Sequence, residues 1–364
     1  MLRVTYTLTC ARGEDAAAKA RDIALEQTAE MPAETVPPDA DVVGTVEAVE
    51  KAGAGRWRAV IAYRPEIVGT DFAQLLNLLF GNVSLKAGIQ VTDVEMPAPL
   101  PARFPGPALG IAGLRALTGA ARRPMLCAVI KPMGLSAERL AGLAYRFAAG
   151  GIDIIKDDHG VANQQTAPFA ERVPRCQEAV ARANAETGGR SLYFPNVTAG
   201  PAAFGERVAA ARRAGCRGVL VSAMLTGLDA VCELAAEPGG NLAILTHPTM
   251  TGAFFREDHG VRPEVLLGRL FRLAGADGVI YPNAGGRFPW SEDTCRAINE
   301  RLRAPWSGVR PAFPAPGGGV DAARVPEWVA RYGTDTIFLV GSSLYAQGDV
   351  RRAAARLAEA VRNM

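Results

Sequence analysis

GGIDIIKDDH, residues 150–159, sets a short apolar run directly against a lysine, two acids and a histidine. A run this short, ended abruptly by charge, reads as a strand buried on both faces whose C-terminal end opens into a polar space. Seven other segments share the pattern: MLCAVIKP from Met125, LYFPNVT from Leu192, GVLVSAM from Gly218, LAILTHP from Leu242, GVIYPN from Gly278, RPAFPAPGGG from Arg310 and IFLVGSS from Ile337. Their starts fall about 30 residues apart, the size of a βα unit. Between most of them lie stretches of helical period, such as Ser136–Ala149 and Ala203–Ala214. Eight such units predict a (β/α)8 barrel, an α/β fold of TIM-barrel type.

Upstream the texture changes. Strand-like runs (Arg3–Thr9, Asp41–Val49, Arg56–Tyr63) alternate with helical ones (Glu14–Thr28, Asp71–Leu79), which predicts an α+β domain of ferredoxin-like kind over residues 1–97. The passage MPAPLPARFPGPALG, Met96–Gly110, breaks all periodicity, because closely spaced prolines continue neither a helix nor a central strand. A linker is expected over 98–117 and the barrel over 118–364.

The 364 residues are 49% hydrophobic and 21% charged, with 40 basic against 37 acidic residues and a net charge of +3. That is ordinary globular composition. It shows no basic run of the kind that marks a nucleic-acid or membrane surface. The start, MLRVTYTLTCARGED, lacks the apolar core of a signal peptide. Cys10, Cys127, Cys176, Cys216, Cys232 and Cys295 form no CxxC pair, so reduced thiols and a cytoplasmic location are expected.

The strand ends carry the chemistry. Lys131, Lys156 with Asp157, Asp158 and His159, Asn196 with Thr198, His247, Asn283, Gly317–Gly319 and Gly341–Ser343 all fall at the end of a barrel strand, the face where catalytic groups of this fold converge. Strands also end in turn residues for purely structural reasons, and an internal Lys–Asp salt bridge is the structural alternative for residues 156–158. Two lysines set flush against apolar strands favour a site. Hard divalent ions seek carboxylate oxygens, and glycine-rich strand ends offer backbone N–H groups to a phosphate.

GGIDIIKDDHGVANQ resembles the GG-x-D-x-x-K-D-D-E signature of RuBisCO and its relatives, the RuBisCO-like proteins. The resemblance continues in order through IKPMGLS, NVTAG, THPTM and AGGRFPW, and in the N-terminal domain through ALEQTAE and FGNVSL. It implies that Lys156 is carbamylated by CO2 and joins Asp158 and the next residue in holding Mg2+. That residue is His159 where the family has glutamate, and imidazole suits Mn2+ or another divalent ion better. The resemblance makes Lys131 the proton-handling lysine, with Met133 where a second lysine stands in the family. His247 matches a family histidine, and Arg287 takes the place of the lysine that positions CO2. Gly318, Gly319, Gly341 and Ser342 match the phosphate grip. Glu26 and Asn82 match residues that close the barrel of a neighbouring subunit, which implies a homodimer or an assembly of dimers.

The family's second phosphate site is left with Pro248, Ile280 or Tyr281, and Gly317, none of which is a charged donor. The expected substrate is therefore a small sugar-derived monophosphate, a sugar acid or a ketose, and CO2 fixation is not expected. Decarboxylation of a 3-oxo acid phosphate of the 3-oxo-isoapionate 4-phosphate type is the expected reaction. The alternatives are isomerisation of 5-methylthioribulose 1-phosphate or the diketo-methylthiopentyl-phosphate enolase reaction. A non-catalytic homologue that binds or regulates stands as a different class of answer.

Overall fold

The computed structural model describes residues 1–239 and 242–364. Its N-terminal sheet contains β1 (Leu2–Thr9), β2 (Thr45–Gly53), β3 (Arg56–Tyr63) and β4 (Ile89–Glu95), with helices Ala16–Glu26 after β1 and Phe72–Phe80 after β3. The spatial order β4-β1-β3-β2, antiparallel throughout, is the ferredoxin-like arrangement expected. Alternation explains the layer: Leu2, Val4, Tyr6 and Leu8 of β1 are buried on one face, in a cluster that includes Ile23, Leu75 and Leu78 of the two helices. Both helices start on an aspartate whose side chain accepts from the first turn, Asp15 from Ala17 N and Asp71 from Ala73 N.

The eight expected barrel strands all form: β5 (Met125–Ile130), β6 (Ile154–Asp157), β7 (Leu192–Phe194), β8 (Gly218–Val221), β9 (Ala243–Thr246), then, beyond a two-residue β10 (Gly260–Val261), β11 (Gly278–Pro282), β12 (Phe313–Gly317) and β13 (Ile337–Val340). They pair in parallel in the order β7-β6-β5-β13-β12-β11-β9-β8. A parallel bridge between Asn196 and Leu220 joins β7 to β8 and closes the ring. Each strand is apolar on both faces because each face has its own core. Met125, Cys127, Ile154, Phe194, Leu220, Leu245, Ile280 and Phe313 fill the interior, while Leu126, Ile155, Tyr193, Val219 and Val279 pack outward in the larger cluster with the helices.

Three features were not read from the sequence. The second half of the linker expected over 98–117 is a helix, Gly110–Thr118, and its Leu114 enters the interior cluster at the foot of the barrel. Asp277, buried at the start of β11, accepts from Leu109 N at 2.8 Å, Gly110 N at 2.6 Å and Ile244 N at 2.8 Å, which ties that helix to the barrel. β4 gave no clear alternation. β10 is too short to carry any; it exists because it adds in parallel to the edge of the N-terminal sheet beside Gln90 and Val91.

Interior packing makes one glycine indispensable. A Cβ added at Gly218 would sit 2.2 Å from Cε1 of Phe194, whose ring is itself closed in among interior side chains. Gly218→Ala should therefore destabilise the fold by about 1–3 kcal/mol. The check is a thermal melt beside Gly142→Ala, a helix position where a Cβ meets nothing within 4 Å.

Candidate active site at the barrel mouth

Strand parity places the chemistry. Ile154 lies in the interior and Ile155 faces the helices, so Lys156 points inward and Asp157 outward. Cys127 is interior, which sets Val129 and then Lys131 on the inner side; Leu245 does the same for His247. Each functional group therefore stands two or four residues beyond an interior apolar one, at the C-terminal end of its strand.

Lys156 is 1% exposed and its Nζ donates to Asp157 O at 3.0 Å. Burial is the main cause that pushes its pKa down; the charge of Lys131 adds to this, and Asp157 and Asp158 oppose it. Among the described residues Lys156 forms no salt bridge with an aspartate. Asp157 turns the other way, to Arg172 (Nη2 at 3.1 Å), Tyr193 OH at 2.7 Å and Asn196 N at 2.9 Å. The first acid of the pair is structural, and the second remains at the mouth.

Asp158 accepts from the backbone N of His159 at 3.0 Å and contacts its Nδ1 at 3.1 Å. Burial alone would raise this carboxyl, but the hydrogen bond from His159 and the charges of Lys156 and Lys131 outweigh it and bring the pKa down to about 2. His159 in turn lies flat on His247, ring centroids 4.3 Å apart and planes 9° from parallel. His247 is pushed down to about 2, first by burial and then by Lys156 against the pull of Asp158, which favours the neutral ring. Among the described residues no group of three or more His, Cys, Asp or Glu is arranged to hold a metal ion.

Across the mouth, the loops after β12 and β13 form the glycine cradle. Gly318 and Gly319 have φ of +108° and +76°, a backbone that side chains disfavour. Asn283, 1% exposed, donates to Gly318 O at 2.9 Å and is held by the hydroxyl of Tyr332, while Ser343 Oγ donates to Val320 O at 2.8 Å, bridging the two loops. Lys131 completes this side: a methyl group on Gly341 would lie 3.4 Å from its Nζ. Tyr345 OH fixes the lysine's backbone, accepting from Lys131 N at 3.2 Å and donating to Val129 O at 2.8 Å. Lys131, Lys156, Asp158, His159, His247, Gly318, Gly319, Gly341 and Ser342 thus share one mouth. Ile280 belongs to the interior cluster and Tyr281 bonds outward to Asn299, so neither offers a donor for a second phosphate.

Two expected groups make other contacts. Asn82 Nδ2 donates to Glu26 at 3.2 Å and to Glu30 at 2.9 Å, and Lys86 bridges Glu26 and Asp22, all within the N-terminal domain. Arg287 is exposed, with its guanidinium 5.0 Å from the ring centre of its neighbour Phe288. Thr249, Ser222 and Tyr345 were not singled out from sequence, and Asn283 was noted only as a strand-end residue. Hydroxyls and amides at strand ends look like turn residues, and only their partners show what they brace.

The catalytic domain of the ribulose bisphosphate carboxylase large chain matches residues 110–362, from the foot of the barrel to the last helix. The chain belongs to the RuBisCO large-chain family. It is 40% identical over 353 residues to the 5-methylthioribulose-1-phosphate isomerase of Rhodospirillum rubrum, covering 96% of this chain and 92% of the relative. The crystal structure of a Rubisco-like protein from Rhodopseudomonas palustris superposes with a TM-score of 0.89 at 37% identity, over 100% of this chain and 97% of that one. A dimeric archaeal Rubisco from Hyperthermus butylicus does so with a TM-score of 0.91 at 28% identity, over 99% and 90%. The chain is thus a RuBisCO-like protein by descent and by fold, within a group of enzymes. Among its described residues no helix is long and apolar enough to cross a membrane.

Proposed function

We propose that this RuBisCO-like protein isomerises a ketose monophosphate through an enediolate, with 5-methylthioribulose 1-phosphate as the first substrate to test, and does not fix CO2. The observation that carries the reading is the similarity to the Rhodospirillum rubrum isomerase along nearly the whole chain. The mouth supports it. One glycine cradle beside Lys131 accepts one phosphate, and in sequence Arg287 takes the place of the lysine that positions CO2.

The residues fit a divalent ion in one way. The buried Lys156 amine, its proton weakened by desolvation, is suited to capture CO2 as a carbamate, and ionised Asp158 supplies a further oxygen. Mg2+, or Mn2+, held there would stabilise the negative charge of an enediolate. Lys131, poised at the cradle, moves a proton to or from the carbon nearest the phosphate. His247, neutral, hydrogen-bonds oxygen.

Decarboxylation of a 3-oxo acid phosphate is the second reading. Met133 favours it: this exposed side chain stands where the family has a second lysine, and an enediolate made by losing CO2 needs no base there. NMR in D2O with Mg2+ and bicarbonate separates the two. Deuterium uptake and a new ketose from 5-methylthioribulose 1-phosphate support isomerisation. CO2 from 3-oxo-isoapionate 4-phosphate alone supports the second reading, and silence on both removes the pair.

Glu26 and Asn82 are proposed to close the mouth of a second copy in a homodimer. Mixing inactive Glu26→Ala and Lys156→Ala chains, unfolded and refolded together, should then restore about a quarter of wild-type activity, because half the dimers would be hybrids with one intact site each. Each variant refolded alone stays inactive.

A further inference from the structure

Isomerisation needs a group that removes a proton from one carbon as well as one that returns it, and Lys131 accounts for one of them. The stacked rings of His159 and His247 suggest the other. Each ring has its Nδ1 tied to the chain, but to partners of opposite character. Asp158 Oδ1 lies 3.1 Å from His159 Nδ1, and an ionised carboxylate only accepts. The proton of a neutral His159 ring therefore sits on Nδ1 and leaves a lone pair on Nε2. Thr249 Oγ1 lies 2.7 Å from His247 Nδ1 and itself accepts from Ser222 Oγ at 3.3 Å. With Ser222 donating to it, the threonine keeps its own proton to give to His247 Nδ1, and in that arrangement the His247 proton lies on Nε2. Neither Nε2 has a hydrogen-bond partner in the chain among the described residues. The turn that carries His159 is held in place, since Asn196 Nδ2 donates to His159 O at 2.9 Å and Val161 O at 3.2 Å.

We infer that His159, instead of serving as a metal ligand in place of the family's glutamate, is the second proton-transfer group of this site, paired with His247 as the donor to the substrate oxygen. One ring then presents a lone pair and the other an N–H, the two kinds of group that abstraction of a proton beside a carbonyl requires. His159 Nε2 takes the proton from the carbon next to the carbonyl. The C–H electron pair becomes the new C=C bond, and the carbonyl π pair moves to oxygen, where His247 Nε2–H meets the growing charge. A proton returned to the former carbonyl carbon, with loss of the neighbouring hydroxyl proton, moves the carbonyl one position along. Atoms and electrons balance without an oxidant or reductant.

This inference rests on the enediolate reading, and its test is chosen to fail separately from it. The chain has three histidines, so ring-15N correlation spectra of the holoenzyme with Mg2+ and bicarbonate are simple, and His247→Gln and His259→Gln assign them. The expected result is Nδ1–H for His159 and Nε2–H for His247; the reverse tautomer at His159 would overturn the inference. Mn2+ binding followed by electron paramagnetic resonance is expected to agree within about threefold between wild type and His159→Gln, whereas a tenfold or greater loss would make His159 a ligand. Deuterium exchange into 5-methylthioribulose 1-phosphate should fall at least about 100-fold in His159→Gln. If the wild type turns over no sugar phosphate, the proposed function fails, while the tautomers and the Mn2+ titration still decide the place of His159.

Discussion

Lys131→Met is expected to lower kcat by about 10²- to 10⁴-fold, the range over which a positioned acid or base contributes, and to leave the melting temperature within about 2 °C of wild type. The lysine has no buried carboxylate to abandon, and no ion pair to it is found among the described residues, so its loss leaves no orphaned charge. Its backbone is fixed independently of its side chain, through Tyr345 OH. Its ammonium stands over Gly341, where phosphate charge is expected, and its positive charge is felt at Lys156 and Asp158. Two functions are therefore lost together, attraction of the phosphate and movement of a proton. Lys131→Arg separates them. Arginine keeps the charge and cannot be deprotonated in a protein, so KM should stay within a few-fold of wild type while kcat stays low. Steady-state kinetics on the substrate identified by NMR check both. A Lys131→Arg enzyme with near-normal kcat would reduce the lysine to a phosphate contact.

The barrel was legible because its physics is repetitive. Strands buried on both faces must be apolar throughout, and eight such runs at βα spacing admit few other folds. Parity did the rest at the mouth: once Ile154 and Leu245 are interior residues, Lys156 and His247 must face the same space. The N-terminal domain was harder to read. β4 carries a β-bulge against β1 between Thr5 and Tyr6, which blurs its alternation, and β10 is two residues recruited by a sheet edge. The helix at Gly110–Thr118 was hidden by the prolines before it; its start is fixed by Asp277, a residue 167 positions away from Gly110. Local sequence does not report such a partner.

The site divides along the same line. Charged groups at strand ends were found because their positions are unusual, whereas their orientation depends on neighbours from other strands. Asp157 and Asp158 are identical in sequence terms, yet one faces Arg172 in the helical layer and the other the mouth. His159 was expected at a metal because the family keeps a ligand there. Its contacts are with Asp158 and His247, and these were not apparent from a residue's place in a motif. Thr249 and Ser222 gain significance only through the ring they hold.

Asp157→Ala should be the most damaging change to the fold, destabilising it by about 3–5 kcal/mol, as expected when one partner of a buried ion pair is removed. Asp157 and Arg172 are both fully buried. Arg172 also donates to Ala167 O and to Ala162 O at 2.8 Å, so without the carboxylate its guanidinium stays trapped with its charge unmatched. Tyr193 OH and Asn196 N lose their acceptor at the same moment, and a buried donor left unpaired costs about 1–3 kcal/mol. At about 2 °C or more per kcal/mol, the melting temperature should fall by at least about 6 °C. Replacing both members, Asp157→Leu with Arg172→Leu, should be less harmful than the sum of the single changes, because the unmatched charge disappears. Activity should fall further than the folded fraction. Asn196 hangs on Asp157 through its N–H and holds the His159 turn through its amide, so loosening the one lets the other drift. A calorimetric double-mutant cycle, with kcat measured well below the transition, tests both halves. If Asp157→Ala melts within about 2 °C of wild type, the pair is not what holds β6 to its helix.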